Sequence, residues 1–100
     1  MVRHIVAWNF AENLTAEEKS VKAAEIKKEL ENLKNLIDGI VSIEVLTAPL
    51  PSSDSDIMLD SVFLNEEALQ AYQVHPEHVR VGTNFVRPAT CNRKCIDFVY

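Results

Sequence analysis

Four short stretches of this chain alternate their side chains with a period of two, and each is apolar on both parities. In residues 2–10, VRHIVAWNF, Val2, His4, Val6, Trp8 and Phe10 point one way, while Arg3, Ile5, Ala7 and Asn9 point the other. In residues 40–48, IVSIEVLTA, the alternation sets Val41, Ile43 and Val45 against Ile40 and Leu46. In residues 56–64, DIMLDSVFL, it sets Ile57, Leu59 and Phe63 against Met58, Val62 and Leu64. In residues 95–100, CIDFVY, it sets Ile96, Phe98 and Tyr100 against Cys95 and Val99. A sheet with one wet face shows clean apolar and polar alternation. Helices can cover one face of such a sheet. Leaving the other bare would expose more apolar surface than the roughly 300–600 Å² patch that monomers carry. The pattern therefore predicts a homodimer, with a second copy packed sheet against sheet through an isologous contact.

The segments between the strands read as helices and turns. TAEE at 15–18 is a capping box: Thr15 can accept from the third helical N–H, and Glu18 can reach back to the cap amide. Ala23, Ile26, Leu30, Leu33 and Ile37 follow at helical spacing, with Leu36 widening the stripe, and Gly39 is placed for a left-handed C-cap. Glu18 with Lys22, and Lys27 with Glu31, are four apart on the expected solvated side. PLPSSDS at 49–55 has turn composition. Asn65 caps an acidic first turn, and Pro76 suits the first position of a further helix that Gly82 weakens and Pro88 closes. The order β-α-β-β-α-β, with its second helix split, predicts an α+β ferredoxin-like domain over residues 1–100 with a four-stranded antiparallel sheet.

A net charge of −5 without a basic stripe argues against nucleic acid. No apolar run reaches membrane-spanning length, and the polar start lacks the features of a signal peptide. Two cysteines, Cys91 and Cys95, are too few for a disulfide framework, so a reducing, cytoplasmic location with free thiols is expected. The two glycines are isolated, so no loop of the kind that cradles nucleotide phosphates is present, and no cofactor is expected. His4, His75 and His78 could form a three-histidine metal site only if aligned, and Pro76 breaks the helix that would align the last two. Cys91 and Cys95 are spaced for a helix, yet Cys95 begins a strand. No metal site is expected.

AYQVHPEHVRVG at 71–82 carries the densest chemistry. Together with the opening MVRHIVAWNF, Asp56, SVFLNEEALQAYQVHPEH at 61–78 and the closing IDFVY, it resembles the stress-responsive α/β-barrel (Dabb) domain family over nearly the whole chain. The resemblance implies a dimeric α/β barrel, in agreement with the two-faced sheet. A plant member of that family closes a linear polyketide by aldol condensation without a cofactor. Its catalytic histidine and tyrosine match His78 and Tyr72 here, while its further histidine in strand 3 is matched by Ile57.

His78 thus has two readings. As a neutral imidazole in the first turn of a helix it can act as a general base, with Tyr72 donating to an enolate oxygen. Alternatively it only bonds a backbone carbonyl and holds the turn. His4, on the apolar face of its strand, is either a satisfied core residue or part of the same cavity. His75 reads as an N-cap. Tyr72 and Trp8 read as core residues that can also line a pocket. Besides a purely structural interaction module, two function classes follow. One is a domain that binds a small apolar or aromatic molecule at His4, Trp8, Tyr72 and His78. The other is a cofactor-free cyclase or lyase with His78 as base and Tyr72 as enolate donor.

Overall fold

The computed structural model describes every residue from Met1 to Tyr100. Its elements are β1 (Val2–Phe10), α1 (Ala16–Asn32), β2 (Ile40–Leu46), β3 (Ile57–Phe63), α2 (Glu66–Val74), α3 (Pro76–Val81) and β4 (Thr90–Val99). A π-helical turn over Gly82–Val86 and a 3-10 turn over Arg87–Ala89 join α3 to β4. The strands form one antiparallel sheet in the order β2-β3-β1-β4. This is the predicted β-α-β-β-α-β arrangement, with β3 and β1 at the centre of the sheet.

The capping chemistry formed as expected. Thr15 accepts from the Glu18 amide, and the Glu18 carboxylate accepts from the Thr15 amide. Asn65 accepts from the Ala68 amide, and His75 accepts from the Glu77 amide through Nδ1. Pro76 then occupies the first helical position, where its missing N–H costs nothing.

The helices cover one face of the sheet. Ile26, Leu30 and Leu33 from the α1 side meet Val6 of β1 and Leu59 and Phe63 of β3, all buried. Each such side chain contributes about 1.5–3 kcal/mol through its burial. The opposite face presents Ile5, Ala7, Met58, Ile96 and Phe98, with Ile96 52% and Phe98 49% exposed. Around them lie Arg3 paired with Asp60, Ser42 and Glu44.

Five details differ from the sequence expectation. First, α1 ends at Asn32 and continues as a 3-10 turn over Leu33–Asn35. The Asn35 side chain bonds that of Asn32 instead of extending the helix. Gly39 does adopt a left-handed φ of +93°, but it turns the chain into β2 rather than capping the helix. Second, Leu36 is exposed rather than part of the buried stripe, because the change in helical pitch rotates it outward.

Third, a register shift between Ile40 and Ser42 leaves Val41 unpaired. The extra residue moves Ile40 onto the same face as Ile43 and Val45, so the simple alternation assigned to β2 is broken. Fourth, the Lys27–Glu31 pair is not merely solvated. Lys27 Nζ donates to the Val45 carbonyl at 2.8 Å, and Glu31 accepts from the Val45 amide at 2.9 Å. Helix α1 thereby blocks the outer edge of β2 against further strand pairing. Glu18 makes no ion pair with Lys22, which reaches toward Glu25 instead.

Fifth, β4 begins at Thr90, five residues before the expected Cys95. Thr90 pairs with Phe10 and Cys91 with Asn9, then the register shifts before Lys94 pairs with Ala7. Asn92 and Arg93 together stand opposite Trp8, and Asn92 takes a left-handed φ of 53°. Asparagine tolerates that conformation better than most residues. The polar bulge hides the strand's start from any reading of alternation.

Candidate functional site

Between the sheet and the helices lies a cavity of about 500 Å³. All four side chains proposed from the sequence, His4, Trp8, Tyr72 and His78, line it. Strand β1 contributes His4 and Trp8 because they share the buried parity of that strand. Tyr72 comes from the inner side of α2, three residues after the buried Leu69. The break at His75 redirects the chain, so His78 on α3 folds back over Tyr72 with ring centroids 4.3 Å apart.

Tyr72 is fully buried, yet its hydroxyl has no hydrogen-bond partner. Burial pushes its phenol far above the ordinary tyrosine range, so it remains a proton donor. An orphaned buried hydroxyl carries a desolvation cost that nothing inside the protein offsets.

His78 is half-buried, and its Nδ1 lies 3.1 Å from the Gln73 carbonyl. A carbonyl can only accept, so Nδ1 carries the proton and Nε2 keeps the lone pair in the neutral ring. Burial holds the His78 pKa below the ordinary histidine value. The bond to Gln73 opposes that shift, and the neighbouring His4, Arg93 and Arg87 reinforce it. The carbonyl bond thus holds the turn and fixes the tautomer of the ring.

His4 is buried, with its Nδ1 2.5 Å from an Asp97 carboxylate oxygen. It is at once a satisfied core residue and a cavity wall. Its ring centroid lies 6.2 Å from that of Tyr72. His75 is occupied as a helix cap.

Asp97 was not among the candidates. The signal was an aspartate between Ile96 and Phe98 in an otherwise apolar strand, and only the pairing of His4 with Asp97 across β1 and β4 gives it meaning. Arg87 and Arg93 were also missed. Both line the cavity, and Arg93 reaches it from the β4 bulge.

One group has metal-ligand spacing: His4 Nδ1, Cys95 Sγ and an Asp97 oxygen lie within 4.8 Å of one another. It is not the three-histidine set weighed from the sequence. Here the His4 nitrogen is engaged by Asp97. Burial and the neighbouring Asp97 charge push the Cys95 thiol upward, so holding a cation would first require displacing both protons. The same shift leaves Cys95 a poor nucleophile.

The element order, the sheet and the single helical layer define a ferredoxin-like α+β protein with a pocket between its layers. Within that class, the chain belongs to the stress-responsive A/B barrel (Dabb) domain family, whose sequence profile matches residues 2–100. A dimeric protein of unknown function with a ferredoxin-like fold from Bacteroides fragilis is 32% identical. Its superposition has a TM-score of 0.91 and covers 99% of this chain and 95% of that one. A Dabb family protein from Mesorhizobium loti is 24% identical, with a TM-score of 0.77 and coverage of 99% and 95%. A hydroxynitrile lyase from Passiflora edulis is 17% identical, with a TM-score of 0.80 and coverage of 99% and 92%. At their identities the last two bear on fold alone. No curated protein matches the chain significantly.

Proposed function

We propose that this protein is a homodimeric Dabb domain that binds a small, mostly apolar molecule between its sheet and its helices. The observation that carries this reading is the convergence of Tyr72 and His78 on a cavity of about 500 Å³. That volume lies in the range of small-molecule sites, and Tyr72 brings to it a donor with no internal partner. A ligand carbonyl or hydroxyl would supply the missing acceptor. The homodimer rests on the half-exposed Ile96 and Phe98 of the open sheet face, and on the Bacteroides fragilis relative being dimeric.

A second reading is favoured by the tautomer of His78. With Nδ1 donating to Gln73, Nε2 is free to take a proton alpha to a ligand carbonyl while Tyr72 donates to the enolate oxygen. That is the chemistry of a cofactor-free cyclase or lyase. A fold neighbour is a hydroxynitrile lyase, so the architecture admits catalysis.

Trp8, the only tryptophan, lines the cavity and reports its occupancy by fluorescence. A panel of aromatic and aliphatic carbonyl compounds should contain members that quench it saturably. A panel without any such member would overturn the binding reading. Compounds that bind are then assayed for turnover with His78→Ala. Loss of turnover supports the base, and turnover at the wild-type rate removes it.

A further inference from the structure

Of the four arginines in this chain, two are neutralised: Arg3 by Asp60, and Arg80 by Glu77 and Glu29. The other two, Arg87 and Arg93, make no ion pair, although the chain has fifteen acidic residues against ten basic ones. Both unpaired arginines line the same cavity. They arrive there by separate irregularities of the backbone. Arg87 opens the 3-10 turn that follows the π-helical turn. Arg93 belongs to the bulge of β4, where two residues stand opposite Trp8 alone. Bulges of this kind re-aim side chains and concentrate beside functional sites. Apolar side chains, Val6, Trp8, Leu30, Leu59 and Val86 among them, make up much of the remaining wall, together with His4, His78, Thr90 and Asn92.

We propose that the ligand of this cavity is an organic carboxylate with an apolar body, whose carboxylate is held by Arg87 and Arg93 while its body packs against Trp8, Leu30 and Leu59. This rests on the reading of the cavity as a small-molecule site and deepens it by naming the ligand class. The guanidinium fork matches a carboxylate bidentately, which an ammonium does not. The overall negative charge of the chain makes the two free cations more telling. An acidic protein repels anions in general, so a site for one must supply local positive charge at its entrance.

The test uses the intact dimer and follows Trp8 emission during titration with 4-phenylbutyrate and with its neutral amide, 4-phenylbutanamide. The acid is expected to bind at least roughly tenfold more tightly than the amide, the effect of one charge-assisted contact. The preference should shrink as salt is raised. In the double variant Arg87→Gln, Arg93→Gln the preference should vanish while amide binding persists. Both arginines are exposed and unpaired, so this variant should fold, which circular dichroism checks. If both compounds quench Trp8 with equal affinity, the carboxylate inference falls and the cavity reading stands. If neither quenches while another member of the carbonyl panel does, the carboxylate inference falls alone; if no member of the panel quenches, both fall. A preference for the acid that survives in the double variant places the anion elsewhere and also overturns the inference.

Discussion

Replacing Tyr72 by phenylalanine isolates the cost of the orphaned hydroxyl. The ring itself is well used. It lies 4.8 Å from Phe63 and 4.3 Å from His78 between centroids, and phenylalanine preserves both contacts. What disappears is a buried O–H without a partner. Leaving such a group unsatisfied costs about 1–3 kcal/mol. The small void left by one oxygen returns a fraction of that, at about 24 cal/mol per Å³. Tyr72→Phe is therefore expected to raise stability by about 1 kcal/mol, which for a domain of this size is a rise in Tm of roughly 4–8 °C. The measurement is urea unfolding at fixed protomer concentration, because dimerisation couples stability to concentration. Tyr72→Ala serves as the reference for losing the ring and should cost about 3–5 kcal/mol. The same Tyr72→Phe protein should bind carbonyl ligands roughly tenfold more weakly, since it has lost their donor. More stable and less functional is the signature of a group kept for a ligand. If Tyr72→Phe were instead less stable by 1 kcal/mol or more, the hydroxyl would have a structural partner and the reasoning would fail.

Three other outcomes are expected. His78 has a folded-state pKa below its unfolded value of about 6.5, so the unfolded chain binds more protons as pH falls through that value. Its contribution to stability is accordingly full above pH 6.5 and is lost as pH falls toward the folded pKa; the His78 ring protons in NMR should titrate below 6.5, and His78→Asn should flatten the stability profile in that window. Phe98→Asp places a charge on the open sheet face, where Phe98 is 49% exposed in the lone subunit. Sedimentation velocity should find the wild type dimeric at micromolar concentration and this variant monomeric; a wild-type monomer would refute the covering of that face. Gly39→Ala must hold a φ of +93° and bring its Cβ to 2.8 Å from the Ala68 Cβ. The left-handed backbone alone costs about 1–2 kcal/mol, so urea unfolding should show at least that loss.

The legibility of the site followed the regularity of the elements that carry it. His4 and Trp8 could be placed on one face because β1 keeps its period of two from Val2 to Trp8, where the register with β3 is unbroken. Tyr72 and His78 could be placed near each other because capping residues mark where α2 ends and α3 begins. Asp97 and Arg93 could not. Their roles depend on β4 pairing with β1, and the two strands are joined by nothing local in sequence. The bulge at Asn92 and Arg93 also erased the alternation that would have announced the strand.

Local chemistry determined the elements themselves: two-period strands, a capping box at Thr15 and Glu18, and a proline-started helix at Pro76. Each depends on neighbours a few residues away, and so can be read along the chain. Tertiary structure alone decided the partner of His4, the isolation of the Tyr72 hydroxyl, the turn of Arg93 into the cavity and the tie of Lys27 and Glu31 to the edge of β2. Those depend on register and on which surfaces meet. A single extra residue in a strand reverses the side of every residue beyond it, and such a shift leaves no mark on composition or period until the partner strand is in place.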